Sequence, residues 1–202
     1  MGHDAFLNMP VKGVRKIIAL ETERLIVRPF EEQDRALFHE INSDETVMEF
    51  YPYRRTRAQS DELFDKGRAR LAETGYGYTA VEIKATGECI GYCNLAMPEL
   101  EPFLPAGTVE IGWRTAARYW GNGYTAEAAR ALLADAFTRR GLDEIISFAV
   151  PENRRSLAVM ERIGMRRAPQ RDFDHPKVGA DYAHLRHMVV YALAKDQWEN
   201  QT

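Results

Sequence analysis

The chain has 202 residues, 45% hydrophobic and 28% charged, which suits one globular domain with a full-sized core. A formal net charge of -3 gives no electrostatic basis for binding nucleic acid or an anionic membrane. No apolar run approaches the roughly 18 residues that span a bilayer, and the N-terminus lacks the ordered regions of a signal peptide, so a cytoplasmic location is expected.

Residues 1–20 carry mixed signals and read as an arm leading into a single domain over 21–202. Residues 24–28 form a short strand closed by Pro29, which cannot extend a ladder. Apolar residues at helical spacing over 31–42 predict a helix, and Ser43 or Asp44 can cap a turn leading to Met48 and Phe50. A second helix is predicted over 56–73, with Thr56 as N-cap, Leu63, Phe64 and Leu71 buried, and Gly75 and Gly77 ending it. Residues 78–84 and 89–96 are the arms of a hairpin. Gly91 within it marks a bulge or a close backbone approach. Cys89 and Cys93 share this strand at a same-face spacing, too far apart along it to bridge easily and without further ligands for zinc. They read as reduced packing residues, and no metal is expected.

Residues 97–107, with Pro98, Pro102, Pro105, Glu99 and Glu101, form a loop. Its acidic residues lean toward a cationic partner, and a plain surface excursion is the alternative. An apolar strand over 109–113, a turn over 118–123 and an amphipathic helix from Tyr124 follow, closed at Gly141. Residues 144–150 form a nearly continuous apolar strand suited to a central position. A helix over 154–163, the beginning of a strand over 165–168, a polar stretch over 170–183 and a last strand over 186–194 complete the chain. Hairpins alternating with strand–helix units predict one mixed α/β sheet with helices on its faces, and motifs at strand ends then gather on one edge.

The turn Arg118-Tyr119-Trp120-Gly121-Asn122-Gly123-Tyr124-Thr125 has the form R-x-x-G-x-G. A glycine turn between strand and helix aims backbone N–H groups at one point, where the helix N-terminus adds partial positive charge, so it suits an anion. It lacks the Gly-Lys-Ser/Thr of a phosphate-binding loop and the third glycine of a dinucleotide fingerprint, and on its own it is equally a plain connector. Asn153-Arg154-Arg155-Ser156 opens the helix after strand 144–150. Asn153 alone is most often an N-cap and Ser156 a first-turn residue.

Taken together, the turn and the Asn153–Ser156 helix start resemble the GNAT superfamily of acyl-CoA-dependent N-acyltransferases, and the resemblance reaches most of the chain. Glu23-Arg24-Leu25-Ile26-Val27-Arg28 resembles the opening strand of the branch that includes ribosomal-protein N-terminal (alanine) acetyltransferases. Gly87-Glu88-Cys89-Ile90-Gly91-Tyr92 resembles its central hairpin, and Glu110-Ile111-Gly112-Trp113 the strand before its pyrophosphate turn. The resemblance implies an α/β (α+β) GNAT fold: a mostly antiparallel twisted sheet of about six or seven strands, helices on both faces, and a splayed central parallel pair. It implies acetyl-CoA as co-substrate and no metal. Backbone groups of Trp120, Gly121, Asn122, Gly123, Tyr124 and Thr125 would bind the pyrophosphate, with Arg118 opening the motif and contacting the phosphates as well. The pantetheine arm would pair with the edge of Ile111, Gly112 and Trp113 in the splayed gap, with Asn153 ordering that gap and Ser156 facing the thioester sulfur.

The implied reaction is direct attack of an amine on the acetyl carbonyl, which needs a base for the amine proton, a donor for the oxyanion and a hydroxyl for the departing thiolate. Many members place a tyrosine several residues after the asparagine. Here Leu157, Ala158, Val159 and Met160 stand there, which turns attention to Ser156. Glu110 is the first candidate base. Alternation puts it on the face of Gly112, opposite Ile111, and an ion-paired strand residue is the alternative. His175, His184 and His187 are the other titratable candidates, and Tyr51, Tyr53, Trp113 and His175 are candidates for lining the acceptor site. The acceptor is read as a small-molecule amine or a protein N-terminus, with no nucleic acid or membrane partner; a homodimer is compatible with the sequence. Two other readings stand beside this one: a GNAT-fold module that senses CoA without turnover, and an unrelated nucleotide-binding α/β enzyme.

Overall fold

The sheet consists of two well-paired halves that meet along one thin seam, and that seam organises the molecule. A computed structural model describes residues 19–201. In chain order the strands and helices are β1 (Leu20–Glu21), β2 (Leu25–Pro29), α1 (Arg35–Ser43), α2 (Arg57–Thr74), β3 (Gly77–Ile83), β4 (Glu88–Ala96), β5 (Glu110–Thr115), α3 (Tyr124–Ala134), β6 (Glu144–Ala149), α4 (Arg154–Arg162), β7 (Arg166–Arg167), β8 (Phe173–Asp174), β9 (His187–Ala194) and α5 (Lys195–Glu199). The sheet order is β1-β2-β3-β4-β5-β6-β9-β7, with β8 also on β9.

Every strand pair is antiparallel except β5 and β6. β4 and β5 pair continuously from Gly91↔Thr115 to Ala96↔Glu110, and β6 pairs with β9 from Glu144↔Ala194 to Ala149↔Val189. Between these halves the described residues hold one partner pair, Glu110↔Ile146, with the Ile146 N–H donating to the Val109 carbonyl at 3.0 Å. Beyond it the strands diverge, which is the expected splayed pair. The described sheet has nine strands rather than six or seven, because β1, β7 and β8 are two-residue edge pairings too short to leave a pattern.

Both faces are covered. Phe38 of α1 and Phe64 of α2 pack with Phe30, Ala80 and Tyr92 on one face. α2 begins as expected at Thr56, whose side chain accepts from the Gln59 N–H, and it ends at Gly75 with φ +75°. On the other face, small residues Ala126 and Ala129 let α3 approach closely, and Leu133, Leu157 and Met160 complete the layer over Ile90, Cys93 and Ile111. The proline loop is not a free excursion, since Leu100 and Leu104 are buried with Phe173, Val178 and Val190.

The structure corrects three details. Val81 pairs with Gly91 but Glu82 with Cys89, so Ile90 is the extra residue of a bulge. The bulge reverses the alternation, and Cys89 and Cys93 therefore pack on opposite faces instead of one. Burial pushes both thiols up to about 12, in keeping with packing roles. Leu20, assigned to the arm, pairs with Val27 at the sheet edge; the rest of the expected arm lies outside the described residues. β8 lies within the polar stretch, for which the sequence predicts no strand, and α5 follows the last strand. Among the described residues no helix is long and apolar enough to cross a membrane.

Candidate active site

The glycine turn leaves β5 through a short 3-10 turn, Ala117–Tyr119, and reaches α3 with Gly121 at φ +81° and Gly123 at φ +78°. Only glycine adopts that left-handed backbone without strain. Side chains lock the loop from within: Trp120 Nε1 donates to the Thr115 carbonyl at 2.8 Å, and Asn122 Nδ2 donates to the Tyr119 carbonyl at 3.1 Å. From outside, Arg24 donates to the Asn122 carbonyl at 3.1 Å, pairs with Glu127 at 2.6 Å and lies 4.7 Å over the Tyr124 ring.

α2 and α4 start with side-chain caps, from Thr56 and Asn153, but α3 starts at Gly123 with none. Its first-turn N–H groups, which a helix cannot satisfy internally, face a slot of about 250 Å³. The turn side of the slot is Trp120, Gly121, Gly123, Tyr124 and Thr125, and the opposite wall is Asn153, Ser156, Val159 and Arg162. An uncapped helix start on an open slot fits a pyrophosphate, which supplies the oxygens those donors lack. Arg155 lies 4.4 Å over Trp120 and pairs with Glu49 at 2.7 Å, adding a cation at the rim.

A second cavity, a cleft of about 420 Å³, opens on the other side of the seam. The slot and the cleft share Phe50, Tyr51, Trp113, Arg114, Asn153 and Ser156. Asn153 Oδ1 accepts the Ser156 N–H at 3.1 Å, so the α4 cap also fixes the serine at the junction. Of the predicted residues, Glu110, Gly112, Trp113, Tyr51, Tyr53 and His175 line the cleft; alternation on β5 accounts for Glu110 and Gly112, whereas Trp113 also lines the slot. Ile111 points the other way and is wholly buried in the core.

Glu110 is half-buried, and among the described residues its carboxylate has neither a hydrogen bond nor an ion pair, which sets aside the ion-paired alternative. Desolvation, with nothing to hold the charged form, pushes its pKa up to about 8. Burial and then the Lys177 charge lower His175, leaving a neutral imidazole at neutral pH. His184 and His187 are exposed and line neither cavity; His187 bonds Asp174 at 3.2 Å. Arg118 is exposed and paired with Glu40, and Asn122 is exposed, so neither side chain lines the slot. The acidic residues of the proline loop do not reach the cleft: Glu99 pairs with Arg70 at 3.3 Å, and the loop contributes Pro98 and Leu100.

Several cleft residues escape the sequence reading. Arg114 is one, although alternation carried one step beyond Gly112 places it on the same face as Glu110. Asn94 is another: it pairs with Gly112 across β4 and β5, its Oδ1 2.9 Å from where a Gly112 Cβ would stand. Ser147, buried on β6, is a third, visible only once the seam is known.

The model of the acetyltransferase (GNAT) domain matches residues 24–166. The chain belongs to this family. A Bacillus subtilis protein, named as the uncharacterized protein YkkB, is 36% identical over 149 residues, covering 72% of this chain and 84% of that one. A crystal structure of a GNAT-family acetyltransferase from Bacillus anthracis superposes with a TM-score of 0.73 at 29% identity, covering 89% of this chain and 99% of that chain. The spermidine N-acetyltransferase of Vibrio cholerae, solved in complex with CoA and spermine, shares the fold with a TM-score of 0.69 at 17% identity, over 89% and 100% of the two chains. The overall fold is therefore retained while the sequences diverge.

Proposed function

We propose that this acetyltransferase transfers an acetyl group from acetyl-CoA directly to a primary amine, of a small molecule or a protein N-terminus, in the path formed by the slot and the cleft. The observation that carries the reading is that the two cavities meet at Trp113, Asn153 and Ser156, so a cofactor entering from one side and an amine from the other converge at the seam. Acetyl-CoA, when bound, supplies the acyl group in activated form. Backbone N–H groups of the turn from Trp120 to Thr125 would hold its phosphates, and the edge of β5 from Ile111 to Trp113, without a strand partner beyond Glu110, would pair with the pantetheine amides. Asn153, by capping α4, would keep that wall of the gap in place.

Glu110 would take the proton that an ammonium must lose before it can attack. A carboxylate poised near neutral pH is well matched to this work, being partly ionised yet basic. The Ser156 hydroxyl would donate a hydrogen bond at the thiol end, and an unpaired β5 N–H would donate to the polarised carbonyl. The branch resemblance of residues 23–28 supports a protein N-terminal amine, and the half-enclosed cleft supports a small one equally.

Thiol release measured with acetyl-CoA and a panel of amines and peptides tests the reading. Turnover on at least one amine, abolished in Gly123→Glu together with CoA binding, is expected. CoA binding without turnover on any amine would instead describe a sensor module.

A further inference from the structure

We propose that the acceptor is an amine that also carries a carboxylate, held by Arg114 and Arg55 while its amino group faces Glu110. This rests on the acyl-transfer reading above and narrows it to a substrate class. The observation is an imbalance of charge in the cleft. Its lining includes Arg55, Arg114 and Lys177, and among the described residues its only acidic one is Glu110. Among the described residues none of the three cations has a carboxylate partner. Many other arginines of the chain are paired, including Arg24, Arg28, Arg35, Arg118, Arg155 and Arg167.

Arg114 is the more telling case. It is 9% exposed, so its charge has lost most of its water, and a buried cation without a counter-ion is costly. Its partners are neutral: Nη1 donates to Asn42 Oδ1 at 2.5 Å, and the guanidinium lies 4.3 Å over Tyr51 and 5.6 Å from the centre of Tyr92. Among the described residues its Nε is buried with no hydrogen-bond partner, and so is the Nε of Arg55, whose guanidinium lies 4.7 Å over Tyr53. Two guanidinium groups at the aromatic wall of one cleft thus have no anionic partner among the described residues. A carboxylate suits them because two oxygens accept from the planar fork at once.

The spacing suits a zwitterion. Glu110 and Arg114 occupy the cleft face of β5 on either side of Gly112, roughly 13 Å apart between Cα atoms at the usual rise of a strand. Their side chains cover much of that span, and the floor between them is the Asn94 amide lying over Gly112. A polyamine would meet the opposite situation, because its second charge would face uncompensated guanidinium groups in a partly desolvated space.

The test compares matched pairs: an amino acid against its own amide, and a short peptide against its amide, with putrescine and spermidine as polycations. Thiol release with acetyl-CoA and binding by thermal shift in the presence of CoA are both read. The carboxylate form is expected to be favoured at least ten-fold in kcat/KM, with polyamines poorest. In Arg114→Met the ratio between each acid and its amide should fall to within about three-fold of unity. The ratio is insensitive to a general loss of activity. Should Arg114→Met not fold, Arg55→Met carries the same test with a partial loss of preference. Amides or polyamines preferred in turnover would overturn the substrate class and leave acyl transfer standing. Binding preference without turnover on any compound would support the anion site and overturn acyl transfer. Equal binding of acid and amide would overturn the proposal.

Discussion

Asn153 caps α4 through the N–H of Ser156, so the residue that ends the loop after β6 also sets the residue at the junction of slot and cleft. Removing the cap leaves that N–H without its partner beside the seam. Asn153→Ala should cost about 1 kcal/mol of stability, and Asn153→Asp, which can cap equally well, should restore most of it. If the cap also orders the cofactor wall, the alanine variant raises KM for acetyl-CoA and the aspartate variant recovers only the stability. Equal recovery of both by aspartate would reduce Asn153 to a cap alone. Thermal melting and steady-state kinetics on the two variants decide this.

Ser156 itself lines both cavities, and no tyrosine follows it on α4. Ser156→Ala removes one hydroxyl and leaves the backbone N–H that Asn153 accepts. The expected result is a fall in kcat of about ten-fold or more, with the CoA dissociation constant changed by less than about three-fold, because only the thiol end loses a donor. Calorimetric CoA titration alongside turnover separates the two quantities, and an unchanged kcat would remove the serine from the chemistry.

Gly91 and Arg114 connect the bulge to the site. A Cβ on Gly91 would overlap the Arg114 carbonyl and stand 2.7 Å from the Thr115 Cα, both of them backbone that cannot swing aside. Gly91→Ala therefore forces β5 away from β4 at the position of Arg114. Overpacking of this kind costs about 1–3 kcal/mol, and chemical denaturation should show a loss in that range or beyond. Gly87→Ala is the control: its φ is also positive at +71°, but nothing lies within 4 Å of its Cβ, so only the backbone strain remains.

The sheet was legible because its strands carry strong local signals. The hairpin over 77–96 alternates, α2 begins with a Thr56 cap and ends at Gly75, and the glycine turn breaks the pattern where the chain must reverse. What was not legible depends on one inserted residue or on tertiary pairing. Ile90 in the bulge moves Cys89 to the other face, and no composition signal announces which residue is extra. β1, β7 and β8 exist because a neighbour offers an edge. At the site, alternation along β5 placed Glu110 and Gly112 correctly, while Asn94 and Ser147 reach the cleft from other strands and Arg55 from a loop, through folding that local pattern does not encode.

Glu110 supplies a pH test. Its folded pKa, pushed up to about 8 by burial, stands above the ordinary carboxylate value of 4.5. Between these values the folded protein keeps a proton that the unfolded chain has lost. Linkage then makes stability highest below about pH 4.5, falling as pH rises through the window and level again above about pH 8. At ~1.4 kcal/mol per pH unit and with solvent reaching part of the side chain, the fall from this group should be about 2 kcal/mol. Glu110→Gln cannot ionise, so subtracting its stability curve from that of the wild type should reveal this slope. Turnover runs in the opposite sense, because only the ionised carboxylate accepts a proton: kcat/KM should rise through the region near pH 8 in the wild type. In Glu110→Gln it should be lower by about a hundred-fold and lack that inflection. A variant that keeps the wild-type rate and inflection would assign proton removal to another group.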